Sequence, residues 1–399
     1  MADAVIVDAV RTPIGKGKPN GALHDVHPVD LFAHSLRALV DRTGIDPARI
    51  DDVIGGVVTQ VGEQGVNVTR RAALAAGYPE SVPATTVDRQ CGSSQQAIHF
   101  AAQGVIAGAY DVVVAAGVES MGRVPMGSNA IGAADLGGVG FGQRYPDAAH
   151  AADGVDRSWV PQGISAELIA AKWGFGRAQL DEFAVRSHDL AAKATKDGLF
   201  DGELAPLHGL QTDEGIRVGG TLESLGQLRP AFYDAAMAQR FPQIGWHITA
   251  ANSSPINDGS AATLVMNSDK ARELGLTPLA RVHSFAVAGD DPLLMLTAVI
   301  PATRKVLQRA GLGIDDIGLF EVNEAFSPVV LAWAHDTGAD LNKVNVNGGA
   351  LAIGHPLGAS GARLATTLVH AMRQRGVRYG LQTMCEAGGL ANATIYELL

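Results

Sequence analysis

Apolar positions along the chain change period in a recurring order. In HSLRALVDRTGIDPARIDDVIGGVV, residues 34–58, they first follow helical spacing, then cross a Gly/Asp/Pro turn into a β-branched run. PATRKVLQRAGLGIDDIGLFEVNEAF, residues 301–326, repeats that order. Each segment predicts a helix, a turn and a strand. Aligning Asp52 with Asp316 gives an offset of 264 residues (316 − 52), with three extra residues in the first copy's turn. The same offset carries Cys91 onto His355.

Around both positions the pattern is a short extended run, a glycine turn and a helix: TTVDRQCGSSQQAIHFAAQGVIAG and VNVNGGALAIGHPLGASGARLATTLVHAMRQ. A strand follows each, DVVVAAGVES and RYGLQTMCEAGG. This alternation predicts an α/β protein whose mixed or largely parallel sheets are covered by helices, in two similar halves. A pseudo-twofold axis between the halves would turn Cys91 and His355 towards each other. The stretch 119–249 breaks the pattern, opening with the glycine-rich MGSNAIGAADLGGVGFGQRYPDAAHAADG before helical runs such as AQLDEFAVRSHDLAAKATKDG. It reads as a substrate-covering subdomain, compatible with an oligomerisation arm.

A length of 399 residues exceeds what one core usually organises, so two domains or a fused duplicate are expected. With 47% hydrophobic and 18% charged residues the chain is a packed globular protein. Its net charge of −10 argues against a nucleic-acid surface and leaves any phosphate-bearing ligand to local cations. No window approaches about 18 uninterrupted apolar residues, so a cytoplasmic protein without membrane insertion is expected. The two cysteines stand 294 positions apart (385 − 91), a poor disulfide framework that suits a reducing compartment.

Cys91 lies in Asp88-Arg89-Gln90-Cys91-Gly92-Ser93-Ser94, at a predicted strand-to-helix turn where unpaired helix N–H groups lower a thiol's pKa. An isolated cysteine is more often a small buried apolar residue. Small neighbours and a repeat-related histidine favour a nucleophile here. His355 is held between Gly354 and Pro356, where an imidazole can be aimed. Asn323, in Asn323-Glu324-Ala325-Phe326, ends a predicted strand and offers an amide to a water or carbonyl oxygen. Cys385 ends the last strand-like run, at the kind of strand terminus where α/β sites form. A zinc site is disfavoured because no paired cysteine spacing exists, and no Gly-x-Gly-x-x-Gly opens a helix after a strand.

Taken together, these motifs resemble the thiolase family along nearly the whole chain. AVRTPIGK, the Cys91 segment, GVESM at 117–121, Asn252-Ser253-Ser254, Asn257-Asp258-Gly259, Asn323-Glu324-Ala325-Phe326, GGALAIGHPLGASGAR at 348–363 and Cys385 with its glycines carry the likeness. Within the family the chain is most similar to actinobacterial degradative members assigned to lipid or steroid breakdown. The resemblance implies a five-layer αβαβα thiolase fold with an inserted loop subdomain. It divides the chain into 1–271, including a lid at 119–249, and 272–399. It further implies cleavage or formation of a 3-ketoacyl-CoA through an acyl-cysteine. His355 would take the proton of Cys91, Cys385 would act as the second acid/base, and Asn323 would hold a water beside His355.

By the same likeness, the backbone N–H groups of Cys91 and Ala387 form an oxyanion hole. The family usually has glycine at the Ala387 position, and a displaced hole is expected from the alanine. Coenzyme A, the co-substrate, falls to Arg217, Ser224 and Ser254, with Phe232 and Phe326 lining its tunnel. Pro161 stands where short-chain biosynthetic members place a histidine, so short-chain specificity is not expected to carry over. No permanently bound cofactor or metal is expected, and the assembly would be a homodimer or homotetramer. A ketoacyl synthase, the nearest rival, lacks the second catalytic cysteine.

Overall fold

The computed structural model describes residues 3–132 and 160–399. Residues 133–159, which hold most of the glycine-rich run of the expected lid, lie outside the described residues. The first half runs β1 (Ala4–Arg11), β2 (Gly15–Lys16), α1 (Pro28–Thr43), β3 (Asp52–Gly56), α2 (Val68–Ala75), β4 (Ala84–Val87), α3 (Ser93–Ile106) and β5 (Val112–Ser120). Helices α4 (Gln162–Trp173) and α5 (Arg177–Lys196) and two one-turn helices precede β6 (Asn257–Asn267). The second half runs β7 (Ala280–Gly289), α6 (Val299–Ala310), β8 (Leu319–Val322), α7 (Ser327–Thr337), α8 (Ser360–Arg375), β9 (Tyr379–Glu386) and β10 (Leu390–Leu398). Among the described residues no helix is long and apolar enough to cross a membrane.

Local chemistry explains these boundaries. The His27 ring accepts from the Val29 N–H, Pro28 occupies the first turn of α1, and Gly44 ends it at φ 66°. Helix α6 ends in the same way at Gly311, φ 68°. Strand β5 is buried throughout, as its unbroken apolar run requires. Val112, Val114, Ala116 and Val118 face the core under α1 and α2, while Val113 and Ala115 face the core around α3 and α8.

Strand order is β4-β3-β5-β6-β1-β7-β10-β9-β8, with β2 on β6. Pairing is parallel at β3–β4, β3–β5 and β8–β9 and antiparallel elsewhere, a mixed sheet as the alternation implied. At the β1–β7 junction only Val5↔Arg281 and Ile6↔Ala280 pair, so each half keeps its own ladder. Three cores stack across these ladders. One joins α1 and α2 to the first half's strands, a second wraps α3 and α8 between strands of both halves, and a third joins α6 and α7 to the second half's strands. Helix, sheet, helix, sheet, helix is the resulting five-layer order, as the resemblance implies.

The repeat is real, but its offset differs from the expected 264. The turn Pro47–Arg49 corresponds to Ile314–Asp316, an offset of 267 (314 − 47), and α3 corresponds to α8 at the same value (360 − 93). The two turns are equally long, so the three-residue gap placed in the first copy is absent. Cys91 therefore corresponds to Gly358, and His355 lies three residues earlier in the same loop.

A buried ion cluster ties the segment after α5 to β1. Arg11 is fully buried, with Nε 2.6 Å from Glu203 Oε1 and Nη1 2.7 Å from Asp213 Oδ1. Burial alone would lower the pKa of the guanidinium, yet Asp213 and Glu203 outweigh it and raise the pKa. Asp213 also accepts the Ile14 N–H at 2.9 Å, and Glu203 accepts from Thr367 of α8 at 3.0 Å. Removing the cation strands two carboxylates in a dry interior. Arg11→Ala should lower the unfolding free energy by roughly 3–5 kcal/mol in urea titration. A loss below about 1 kcal/mol would mean the cluster relaxes without its cation.

Candidate active site

The turn carrying Cys91 is stapled by its own side chains. Ser93 Oγ accepts from Arg89 N at 2.9 Å and donates to Gln90 O at 2.6 Å, while Asp88 Oδ1 accepts from Gln90 N at 2.6 Å. Gln90 is left-handed at φ 49°, a conformation most side chains avoid, which turns Cys91 inward just before α3 begins. The thiol sits in an apolar nest of Val58, Met121, Leu357, Leu364 and Met384. Burial pushes its pKa well up, and Cys385, Glu386 and Glu119 add to the shift. This corrects the expectation of a thiolate favoured by the helix terminus: Cys91 lies one residue before the cap, and desolvation wins.

His355 reaches the same place from the loop before α8. Gly354 has φ 119°, and a Cβ there would lie 2.7 Å from Ile14 Cγ2, so only glycine fits. The His355 N–H donates to Asn257 Oδ1 at 2.9 Å. Ser360 Oγ donates to Pro356 O at 2.8 Å, which leaves its lone pair facing His355 Nδ1 2.6 Å away. Nδ1 therefore carries the ring proton and Nε2 keeps its lone pair. Asn323 Nδ2 points at Nε2 from 3.4 Å. Burial, helped by the charge of Arg363, lowers the imidazole pKa to about 3, so the ring is neutral at rest. Cys385 closes the group from the end of β9, with burial and then Glu386 raising its thiol to about 12 and Asn323 offsetting part of the shift.

The structure thus brings Cys91, His355, Asn323 and Cys385 together. It also shows supports for which the sequence offered no role. Glu119 accepts from Val58 N, Thr59 N, Gln64 Nε2 and Gly358 N at 2.8 to 3.1 Å, clamping the loop of His355 onto the first half. Its signal was an acidic residue closing an apolar strand in GVESM. Asn257 and Ser360 lay inside recognised motifs, but their roles depend on a turn that only coordinates reveal.

The expected ligand residues divide into two groups. Ser254 N donates to Ala325 O at 2.9 Å, placing it beside Phe326, whose ring meets Phe232 edge-on at 5.9 Å. Phe232 packs so closely on Gly163 that a Cβ there would lie 2.1 Å away. Arg217 lies on an exposed loop, lining a cleft with Lys16, Lys18, His188 and Ser253, and Ser224 lies in the exposed short helix Leu222–Gly226. Ser224 Oγ is engaged in a capping box with Thr221. Pro161 caps α4. Ala387 is not among the positive-φ residues, which fall instead on Gly388 and Gly389 at 89° and 78°. The alanine is thus accommodated without left-handed strain. Among the described residues no cluster of His, Cys, Asp or Glu could hold a metal ion.

Ser360→Ala removes the acceptor of Nδ1–H and lets the ring protonate on Nε2 instead. Alkylation of Cys91 by iodoacetamide at neutral pH, located by peptide mass mapping, should slow about tenfold, the rate equivalent of one hydrogen bond. An unchanged rate would show that the tautomer is set by another contact.

Comparison with known proteins bears on this arrangement. The family model described as the thiolase N-terminal domain matches residues 4–269, and that of the thiolase C-terminal domain matches 276–398. A steroid 3-ketoacyl-CoA thiolase of Mycobacterium tuberculosis is 44% identical over 100% of this chain and 95% of its own length. A 3-ketoacyl-CoA thiolase of Aliivibrio fischeri is 43% identical, with both chains covered in full. The crystal structure of the Bacillus anthracis acetyl-CoA acetyltransferase superposes with a TM-score of 0.86 at 37% identity, covering 100% of this chain and 99% of its own. Matched in both halves and along its full length, the chain belongs to the thiolase family.

Proposed function

We propose that the protein cleaves a 3-ketoacyl-CoA with coenzyme A, releasing acetyl-CoA and a shortened acyl-CoA, through a ping-pong sequence with an acyl-Cys91 intermediate. The observation that carries this reading is two buried thiols beside a neutral imidazole whose Nε2 lone pair is free of a proton. His355 Nε2 takes the Cys91 proton as the sulfur attacks the ketone carbon. The carbon–carbon bond then breaks, and Cys385 gives its proton to the departing acetyl-CoA carbanion. The Cys385 thiolate next removes the thiol proton of incoming coenzyme A, whose sulfur takes the acyl group from Cys91. Run backwards, the same steps join two acyl units.

Each carbonyl oxygen that becomes negative needs preorganised donors. His355 and a water held by Asn323 serve one, and the N–H groups of Cys91 and Ala387 serve the other. Coenzyme A runs from Arg217 and Ser224 at its nucleotide end to Ser254 at its pantetheine, between Phe232 and Phe326. With Pro161 rather than a histidine near the pantetheine, short-chain specificity does not carry over. We also infer a homodimer or homotetramer in the cytoplasm, with no resident cofactor or metal. Boundaries at 1–271 and 272–399, with 119–249 as a lid, are supported by the short helix Ser268–Glu273 that links β6 to β7.

Cys385→Ser separates the two thiols. Acylation of Cys91 from a simple acyl-CoA should persist, seen as an adduct in peptide mapping, because it depends on His355. Carbon–carbon cleavage should fall about 100- to 10,000-fold, the usual contribution of a general acid–base group. Near-wild-type thiolysis in this variant, or an adduct on Cys385 in the wild type, would overturn the assignment.

Arg217→Ala should raise KM for coenzyme A while leaving kcat nearly unchanged, since a contact remote from the reacting atoms is kept in ground and transition states alike. A large fall in kcat at constant KM would contradict that role.

A further inference from the structure

Behind the nucleophile turn lies a carboxyl group that the mechanism above does not use. Glu386 follows Cys385 on β9, and its side chain is fully buried. Neither carboxyl oxygen has a hydrogen-bond partner, and neither does the side-chain oxygen of Asn392 on β10. The two side chains meet over one point: a Cβ on Gly92 would lie 1.9 Å from Glu386 Oε1 and 2.7 Å from Asn392 Oδ1. Gly92 is the residue between Cys91 and the first turn of α3.

The orientation of Asn392 is fixed from its far side. Its Nδ2 donates to Gln96 Oε1 at 3.2 Å and lies 3.3 Å from His99 Nδ1, with both partners on α3. With Gln96 Oε1 turned towards it, the Asn392 amide donates to that oxygen and its carbonyl faces the Glu386 side. Two buried acceptors therefore converge with no donor between them. Buried polar groups are nearly always paired, and a single proton would satisfy both.

We propose that Glu386 is a positioning residue held as a neutral carboxylic acid, whose O–H donates to Asn392 Oδ1 across Gly92 and locks the end of β9 to the Cys91 turn. The charged and titratable groups facing it agree with this. Among the described residues Arg89, from the nucleophile turn, is the only cation facing it; it forms no ion pair with Glu386, and its Nε is itself unpartnered. Asp88 from the same turn repels a second negative charge, and His99 is neutral because burial and then Arg89 lower it to about 3. Burial raises the Glu386 carboxyl well above the ordinary carboxylate range, and its charge would oppose both Cys91 and Cys385. Both thiols must pass through an anion, so a neutral neighbour favours each step. As pH rises through the raised carboxyl pKa, Glu386 ionises, the bond to Asn392 is lost, and activity falls on the alkaline side.

This inference rests on the proposed thiolytic reaction only for its kinetic readout. The test compares full-length wild type, Glu386→Gln and Glu386→Ala in three measurements: kcat and KM for thiolysis against pH, alkylation of Cys91 by iodoacetamide against pH, and the infrared difference spectrum. Glutamine replaces the O–H donor with an N–H donor that does not titrate. It should keep kcat at neutral pH within about threefold of wild type and lose the alkaline fall. Alanine should lower kcat about tenfold at little-changed KM, because Asn392 Oδ1 is left without a donor. The wild-type minus Glu386→Gln spectrum should contain a protonated-carboxyl stretch. Glutamine as damaging as alanine would mean an ionised carboxylate held by Arg89, and would overturn the proposal. So would an alanine variant equal to wild type at every pH, or a difference spectrum without that stretch. If Glu386→Ala does not fold, glutamine and the spectrum decide alone. If the wild type shows no thiolysis, the reaction assignment fails, while alkylation and the spectrum still test Glu386.

Discussion

The first turns of α3 and α8 touch backbone to backbone, and the geometry of the site follows from that contact. A Cβ on Gly361 would lie 2.1 Å from Gln95 N, and one on Gly117 would lie 2.3 Å from Gly358 O. Across the same seam, Ser94 Oγ accepts from Ala362 N at 2.8 Å. Close-packed interiors transmit such contacts faithfully. With both helix starts held this tightly, the loops just before them, which carry Cys91 and His355, have nowhere to go except together. Glu119 then fixes the second loop by its bond to Gly358 N.

The dryness of this meeting point sets its chemistry. Burial raises both thiols and lowers the imidazole, so every reactive group rests uncharged. An isolated ion would be costly there. The Ser360 bond to Nδ1 leaves the Nε2 of His355 without a ring proton, facing Asn323 Nδ2. Attraction between charges created during reaction is correspondingly strong, because little water is present to screen it.

Much of this was legible in the sequence where periodicity was strong. The helix ended by Gly44, the buried strand Val112–Ser120 and the helix ended by Gly311 all announce themselves by spacing and punctuation. The repeat was legible too, but its register was misread by three residues because Asp52 and Asp316 look alike while occupying different places, one in a strand and the other in a turn. The pairing with His355 survived because both loops precede helices of the same layer. The thiol's protonation state was misjudged for a different reason: a helix terminus can be read from residue types, whereas the depth of the pocket around it cannot. Ser360, Asn257 and Glu119 were invisible as supports because they act on a ring nitrogen or on backbone N–H groups, which leave no mark in the spacing of side chains. The ligand residues came from family likeness, and no periodicity points to Arg217.

The division of the site between two halves also has a consequence for the growing chain. Cys91 is synthesised 264 residues before His355 (355 − 91). At about 5–20 residues per second on the ribosome, that interval is on the order of tens of seconds. Throughout it the emerging first half carries its thiol without the imidazole of the second loop and without the Gly358 N–H that completes the Glu119 clamp. Completion of the last quarter of the chain is thus what brings the two loops of the site together.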